Sequence, residues 1–257
     1  MNIKTQACIQ WIKDYFEGNE EGKAIIGISG GKDSTVAAAL CVEALGADRV
    51  VGILMPQYEQ DDIMDSFKVC QILGITSFVV DIGATCKALC DAIDEEVERE
   101  ESSMCHPMIK SNLPARIRMT TLYAFAALYP NSRVVNTCNR SEDYVGYSTK
   151  YGDAAGDFSP LGNLTVKEIL EMGDDLGLPC NLVHKTPSDG MCGKTDEDNL
   201  GFTYAQLDGY LLGTGTVNAT ILEKINRLHN STRHKYVPMP MFDPENFGPV
   251  YEQLTLF

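Results

Sequence analysis

Five mostly apolar residues, Ala24 to Ile28, run straight into Ser29-Gly30-Gly31-Lys32-Asp33-Ser34, which opens the helix-forming run Thr35-Val36-Ala37-Ala38-Ala39-Leu40. Strand, glycine turn and helix in that order tie the N-terminal part of the chain to an α/β unit. The same order exposes backbone N–H groups at the positive end of a helix, a natural seat for phosphate. Gly30 and Gly31 lack Cβ, so the backbone can take unusual dihedrals and approach an anion closely. Ser29 and Ser34 add hydroxyls, and Asp33 adds a carboxylate able to hold Mg²⁺ through oxygen. Gly27 to Ser34 is therefore the first candidate site, with a plain connecting turn as the alternative.

Two more β-rich runs follow, Val50 to Met55 and Ser77 to Ile82, with helical stretches over 34–45 and 61–73 between them. An amphipathic helix over 3–17 precedes them. Alternation of this kind predicts βαβ units, hence a doubly wound, mostly parallel sheet flanked by helices. The acidic run Asp91 to Glu101 reads as a solvated helix face. Ser111-Asn112 can cap a helix carrying Pro114 in its first turn, and Arg116 to Tyr129 is apolar on several sides, as suits the core or a subunit contact. Arg133 to Thr137 reads as a further strand. Residues 139–164 are glycine-rich and aperiodic, a length of loop that is usually functional. A second such stretch over 185–199 has the composition of a mobile lid. Helices are expected over 166–176, 204–212 and 217–228, then an irregular tail. With no repeat and no boundary, 1–257 is expected to be a single domain.

A formal charge of −15 argues against a nucleic-acid partner, which needs a basic surface, but not against small phosphorylated ligands. Nine scattered cysteines with no CxxC pair or compact Cys/His cluster fit free thiols in a reducing cytoplasm better than disulfides or zinc, although Cys86 and Cys90 share a helix face if that segment is helical. The first thirty residues have no signal-peptide core, and no apolar run reaches the length of a membrane span, so a cytoplasmic, soluble chain is expected.

The loop lacks the G-x-x-x-x-G-K-[ST] spacing of the Walker pattern. SGGKDS instead resembles the pyrophosphate loop of the N-type ATP pyrophosphatases, which split ATP into AMP and pyrophosphate. Further motifs narrow that likeness: Asn112-Leu113-Pro114-Ala115-Arg116-Ile117-Arg118, Thr137 with Glu142, Thr149-Lys150-Tyr151-Gly152-Asp153, Asp157, Pro160-Leu161, Pro187-Ser188-Asp189, Asp196-Glu197, Leu200-Gly201, Tyr204 and Arg233-His234-Lys235. In this order, across 27–235, the chain resembles the ammonia-dependent NAD⁺ synthetases. The resemblance implies an adenine nucleotide alpha hydrolase-like, Rossmann-like fold and a homodimer. It implies ATP as co-substrate, bound by Gly27, Ile28, Ser29, Gly30, Gly31, Lys32, Asp33, Ser34, Thr137, Lys167 and Ser188. Mg²⁺ would be held by Asp33 and Glu142. Arg116, Lys150, Asp157, His234 and Lys235 would bind deamido-NAD⁺, and Asp153 would position or deprotonate ammonium unless it only stabilises its turn.

One departure concerns charge. Where the family commonly has a lysine for ATP after Leu-Thr, this chain has Val166, with Lys167 one step later and about 100° further round a helix. Lys167 is the nearest substitute and Lys185 another; Ser188 stands where threonine is common. The implied reaction is attack of the nicotinate carboxylate on the α-phosphorus of ATP, then displacement of AMP by ammonia, catalysed by Asp33, Glu142 and Asp153 through positioning and charge neutralisation. About 23 residues precede the first strand, too few for an ammonia-releasing amidase domain. The competing readings are a tRNA-modifying ATPase of the same superfamily and an ATP-binding sensor without catalysis.

Overall fold

The computed structural model describes residues 1–58, 63–97, 106–185 and 195–244, and the backbone of 248–250. Helix α1 (Ile3–Tyr15) starts at Asn2, whose side chain accepts the Thr5 amide. Strands and helices then alternate: β1 (Ala24–Gly27), α2 (Lys32–Leu45), β2 (Val50–Leu54), α3 (Ile63–Leu73), β3 (Thr76–Val79) and α4 (Gly83–Val97). The long α5 (Pro107–Ala127) leads into β4 (Arg133–Val134) and the short α6 (Arg140–Val145). The remaining helices are α7 (Val166–Asp175), α8 (Cys180–Val183), α9 (Asp196–Leu200), α10 (Tyr204–Leu211) and α11 (Ala219–Thr232), followed by a 3₁₀ turn over Arg233–Lys235. An antiparallel pair, β5 (Met241–Asp243) and β6 (Gly248–Val250), occupies the tail that was expected to be irregular.

The first four strands form one parallel sheet in the order β3-β2-β1-β4. Ile25 sits opposite Val51 on one side and Val134 on the other. Side chains alternate between faces along β1. Ala24, Ile26 and Ile28 pack with Ile12 and Phe16 of the first helix region and with Val36 and Leu40 of α2. Ile25 joins Val51, Ile53 and Cys86 beneath Leu113, Ile117, Leu122 and Phe125 of α5. Helices on both faces make the sheet doubly wound, as expected. Ile12, Ile25, Ile26 and Leu40 are fully buried, each stabilising the fold by about 1.5–3 kcal/mol relative to exposure. A third apolar cluster, with Val145, Val166, Leu200, Tyr204, Leu207 and Ile225, ties α6, α7, α10 and α11 together.

Three local expectations change. Helix α5 begins at Pro107, not near Ser111, and continues through Pro114. Proline at the first position loses no helical bond, whereas Pro114 does. The apolar contacts of Leu113 and Ile117 on the sheet outweigh that local cost. The 139–164 stretch is not wholly aperiodic, because Asn139 caps α6 and Gly146 ends it with φ +66°. Strand β4 is shorter than expected; beyond Val134 only Val135 is bridged, to Phe158. Of the 185–199 stretch, residues 186–194 lie outside the described residues, together with Ser188, and a capping box at Thr195 opens α9 at its far end. The described cysteines are free, and Cys86 and Cys90 are both buried on α4.

Candidate active site

In the order β3-β2-β1-β4 the chain leaves β1 toward β2 on one side and returns to β4 on the other. Between β1 and β4 the direction of winding reverses, and in open α/β sheets the crevice beyond the carboxyl ends at such a point is where ligands bind. The segments leaving those two ends are the glycine loop, 28–34, and residues 136–142.

The loop is built from its own hydroxyls. Gly30 takes φ +77°. Ser29 N–H donates to Ser34 Oγ at 3.3 Å, and Gly31 N–H donates to Ser29 Oγ at 3.3 Å. Thr35 Oγ1 donates to Gly31 O at 2.7 Å, fixing the first turn of α2. Gly31 is the N-cap and no side chain caps that turn, so the leading amides remain for an anion.

Lys32 and Asp33 then face residues beyond β4. The Lys32 ammonium, almost fully buried, lies 2.7 Å from Asp33 Oδ2 and 3.8 Å from Glu142 Oε1. Asn139 donates from Nδ2 to Asp33 Oδ1 at 3.0 Å while its Oδ1 accepts the Glu142 N–H at 3.0 Å. One fully buried asparagine thus joins the loop to the start of α6. Burial disfavours the charge on Lys32, but Asp33 and Glu142 outweigh it and raise its pKa. Burial and the neighbouring charge of Asp33 push the Glu142 carboxyl well above the usual glutamate range. Tyr204 covers Lys32 with its ring centroid 5.7 Å from Nζ, and its hydroxyl lies 3.4 Å from Asp196 Oδ2. From α10, Asp208 accepts bonds from Ser141 Oγ at 2.5 Å and Lys167 N–H at 2.8 Å, holding α6 against α7.

Asp33 and Glu142 are hard oxygen donors beside the glycine loop, and the repulsion between them that Lys32 leaves is what a divalent cation would relieve. They fit Mg²⁺, which keeps most of its ligands as water and phosphate oxygens. Among the described residues no group of three or more His, Cys, Asp or Glu side chains is placed to hold a metal.

The other expected residues are held by other partners. Thr137 is half-buried in the turn between β4 and Asn139. Arg116 Nε donates to Lys150 O at 3.3 Å, Lys150 Nζ donates to His234 O at 2.5 Å, and Lys235 Nζ donates to the carbonyls of Gly146 and Ser148 at 2.7 and 2.8 Å. These four residues form one strap across the 146–150 loop. Asp153 Oδ1 accepts the Thr149 N–H at 2.8 Å in the same loop, and partial desolvation raises its pKa against that bond. Asp157 stands apart, at the β4 edge, accepting Val134 N–H at 2.7 Å and Tyr123 O–H at 3.2 Å. Tyr123 lies seven residues after Arg116 on α5, about 10 Å along its axis, so one helix serves both groups. The Lys167 ammonium is two-thirds exposed and 3.9 Å from Glu171, one turn on along α7.

Sequence reading passed over Asn139 and Asp208, and it gave no role to Asp196 or Tyr204. Asn139 carries a usable signal, a cap residue three before a glutamate. Asp208 carries none, because its partners are Ser141 and the amide of Lys167 on other elements.

The fold and this centre define an α/β protein whose glycine loop opens a helix at a topological switch point. The chain belongs to the NAD synthase family, whose model matches residues 4–238. It is 35% identical over 234 residues to the NH(3)-dependent NAD(+) synthetase of Carboxydothermus hydrogenoformans, covering 90% of this chain and 93% of that one. Among solved structures, the NMN synthetase from Francisella tularensis superposes with a TM-score of 0.81 at 35% identity, covering 92% of this chain and 95% of that one. The NH3-dependent NAD synthetase from Campylobacter jejuni, in complex with the nitrate ion, gives 0.70 at 28% identity, covering 93% and 96%. These matches favour neither the tRNA-modifying ATPase nor the sensor.

Proposed function

We propose that this protein is an ammonia-dependent NAD⁺ synthetase, converting deamido-NAD⁺, ATP and ammonia into NAD⁺, AMP and pyrophosphate. The observation that carries the reading is the junction of Asp33 with Glu142 through Lys32 and Asn139 at the switch point. Two carboxylates beside a helix-opening glycine loop, in a chain related throughout to enzymes of that name, support this reading.

A carboxylate oxygen of the nicotinate ring attacks the α-phosphorus of ATP; the new O–P bond forms as the bond to pyrophosphate breaks. Ammonia then attacks the activated carbonyl carbon, AMP leaves, and the nitrogen loses its extra proton. The loop amides hold the phosphates in line, and Lys32, buried between Asp33 and Glu142, fixes the carboxylates beside them. Mg²⁺ held by Asp33 and Glu142 would offset phosphate charge. Arg116, Lys150, His234 and Lys235 orient the dinucleotide from the 146–150 side and Asp157 from the β4 edge. Asp153, an anion beside that strap with a raised pKa, is the group suited to ammonium.

A second acceptor is favoured by one observation, the TM-score of 0.81 with a protein called an NMN synthetase. The same chemistry on nicotinate mononucleotide would need only the mononucleotide half of the site. Incubating the protein with ATP, Mg²⁺, ammonium and either acceptor, and measuring AMP with the amidated product, separates the two. Faster turnover of deamido-NAD⁺ supports the first reading, and faster turnover of the mononucleotide supports the second. No AMP with either would reject both.

The reading includes a single catalytic domain working in the cytoplasm as a homodimer, with small-molecule substrates and no nucleic-acid partner. The net charge of −15 supports the last point. No helix among the described residues is long and apolar enough to cross a membrane.

A further inference from the structure

We propose that Lys185 binds the polyphosphate end of ATP, a role that rests on the ATP-dependent reading above. Lys185 follows α8, far in sequence from the glycine loop, yet the fold brings its charge beside it. Its ammonium lies 2.9 Å from Asp65 Oδ2 in the first turn of α3. That turn abuts the loop: a Cβ added to Gly30 would sit 3.0 Å from Asp65 Cβ and 3.0 Å from the Ser66 nitrogen. Lys185 is therefore one carboxyl group away from the backbone that forms the anion seat.

The seat needs such a charge. Lys32 is buried between Asp33 and Glu142, and its charge is already balanced by theirs. Asp33 and Asp65 stand beside the loop, Asp65 pairing with Lys68 at 3.3 Å as well as with Lys185, in a chain of net charge −15. A polyphosphate approaching that field gains from a cation that can turn toward it. Lys185 suits this, because its side chain is one-third exposed and its ammonium ends a flexible four-carbon stem. In the free protein Asp65 holds the ammonium at the rim. On binding, phosphate oxygens replace the Asp65 carboxylate as its partner. Lys167 lacks this placement, being directed to solvent beside Glu171.

The bland alternative is that the Lys185–Asp65 pair only pins the end of α8 to α3. Calorimetric titration of the full-length protein with ATP, pyrophosphate and AMP distinguishes the two. Lys185→Met is expected to weaken ATP and pyrophosphate binding about tenfold while leaving AMP within about twofold. Lys185→Arg should restore most of the loss, and Asp65→Asn should leave ATP binding intact. If wild type binds ATP and Lys185→Met binds it equally well, the proposal is overturned. It is overturned too if Lys185→Met and Asp65→Asn lower Tm alike and weaken ATP and AMP alike. If the wild-type protein binds neither ATP nor pyrophosphate, the ATP-dependent reading itself fails.

Discussion

Asp33 is held by two neighbours, the Lys32 ammonium on Oδ2 and the Asn139 amide on Oδ1, so its carboxylate is fixed before any ligand arrives. Asp33→Asn preserves shape but removes the charge that a divalent cation and Lys32 both need. We expect kcat to fall by about 10²-fold or more, with the far-UV circular dichroism unchanged. Near-normal turnover at saturating Mg²⁺ would remove Asp33 from the metal site. At this scale the loop itself was readable, because glycine at Gly30 answers a local demand, a positive φ and a close approach to Asp65 and Ser66. Its partners were less so. Asn139 meets Asp33 across 106 residues of sequence, and nothing local to an asparagine says which carboxylate it will bind.

Elements carry these residues only if their ends are secured. Helix α7 starts with a complete capping box between Thr165 and Glu168, and Glu168 also pairs with Lys4 of α1 at 2.5 Å. Burial opposes the charge on Glu168, but Lys4 and Thr165 together hold its pKa below the usual value. A depressed folded pKa stabilises above the unfolded value, about 4.3 for glutamate, and that contribution is lost as pH falls through the folded value. Glu168→Gln should therefore be less stable than wild type at pH 7, with the gap closing on acidification below about pH 4. Urea denaturation across that range tests it, and a gap that stays constant with pH would refute the linkage. At the other end of the site, Gly146 closes α6 with φ +66°, and an added Cβ would lie 2.2 Å from Thr232 Cβ at the end of α11. Gly146→Ala should cost about 1–3 kcal/mol of stability and raise the KM for the dinucleotide, because Lys235 donates to the Gly146 carbonyl. Unchanged Tm and KM would show that the α6–α11 contact gives way freely. Periodicity marked α7 well and α5 poorly. In α5, Pro114 announces a helix start, and only tertiary packing of Leu113 and Ile117 reveals that the helix runs through it.

At the scale of the molecule, alternating strands and helices foretold a parallel, doubly wound sheet, but not the order β3-β2-β1-β4 that creates the switch point. Strand order depends on which side of β1 each crossover lands, and a buried apolar strand such as Ala24 to Ile28 accepts either neighbour. That order also leaves β3 at the sheet edge, where Phe78 and Val79 are exposed and Phe78 packs on Phe125 of α5 with ring centroids 5.3 Å apart. Just beyond α5, Leu128 is 72% exposed. An exposed edge strand beside an apolar helix invites either protection by a second subunit or aggregation. The expected homodimer would cover this region, and a self-complementary two-fold contact would set each copy's patch against the other's. Leu128→Asp or Val79→Asp should then shift the protein toward monomer in light scattering at micromolar concentration, with the fold retained by circular dichroism. A wild-type monomer would reject the dimer; a dimer unaffected by either change would place the interface elsewhere.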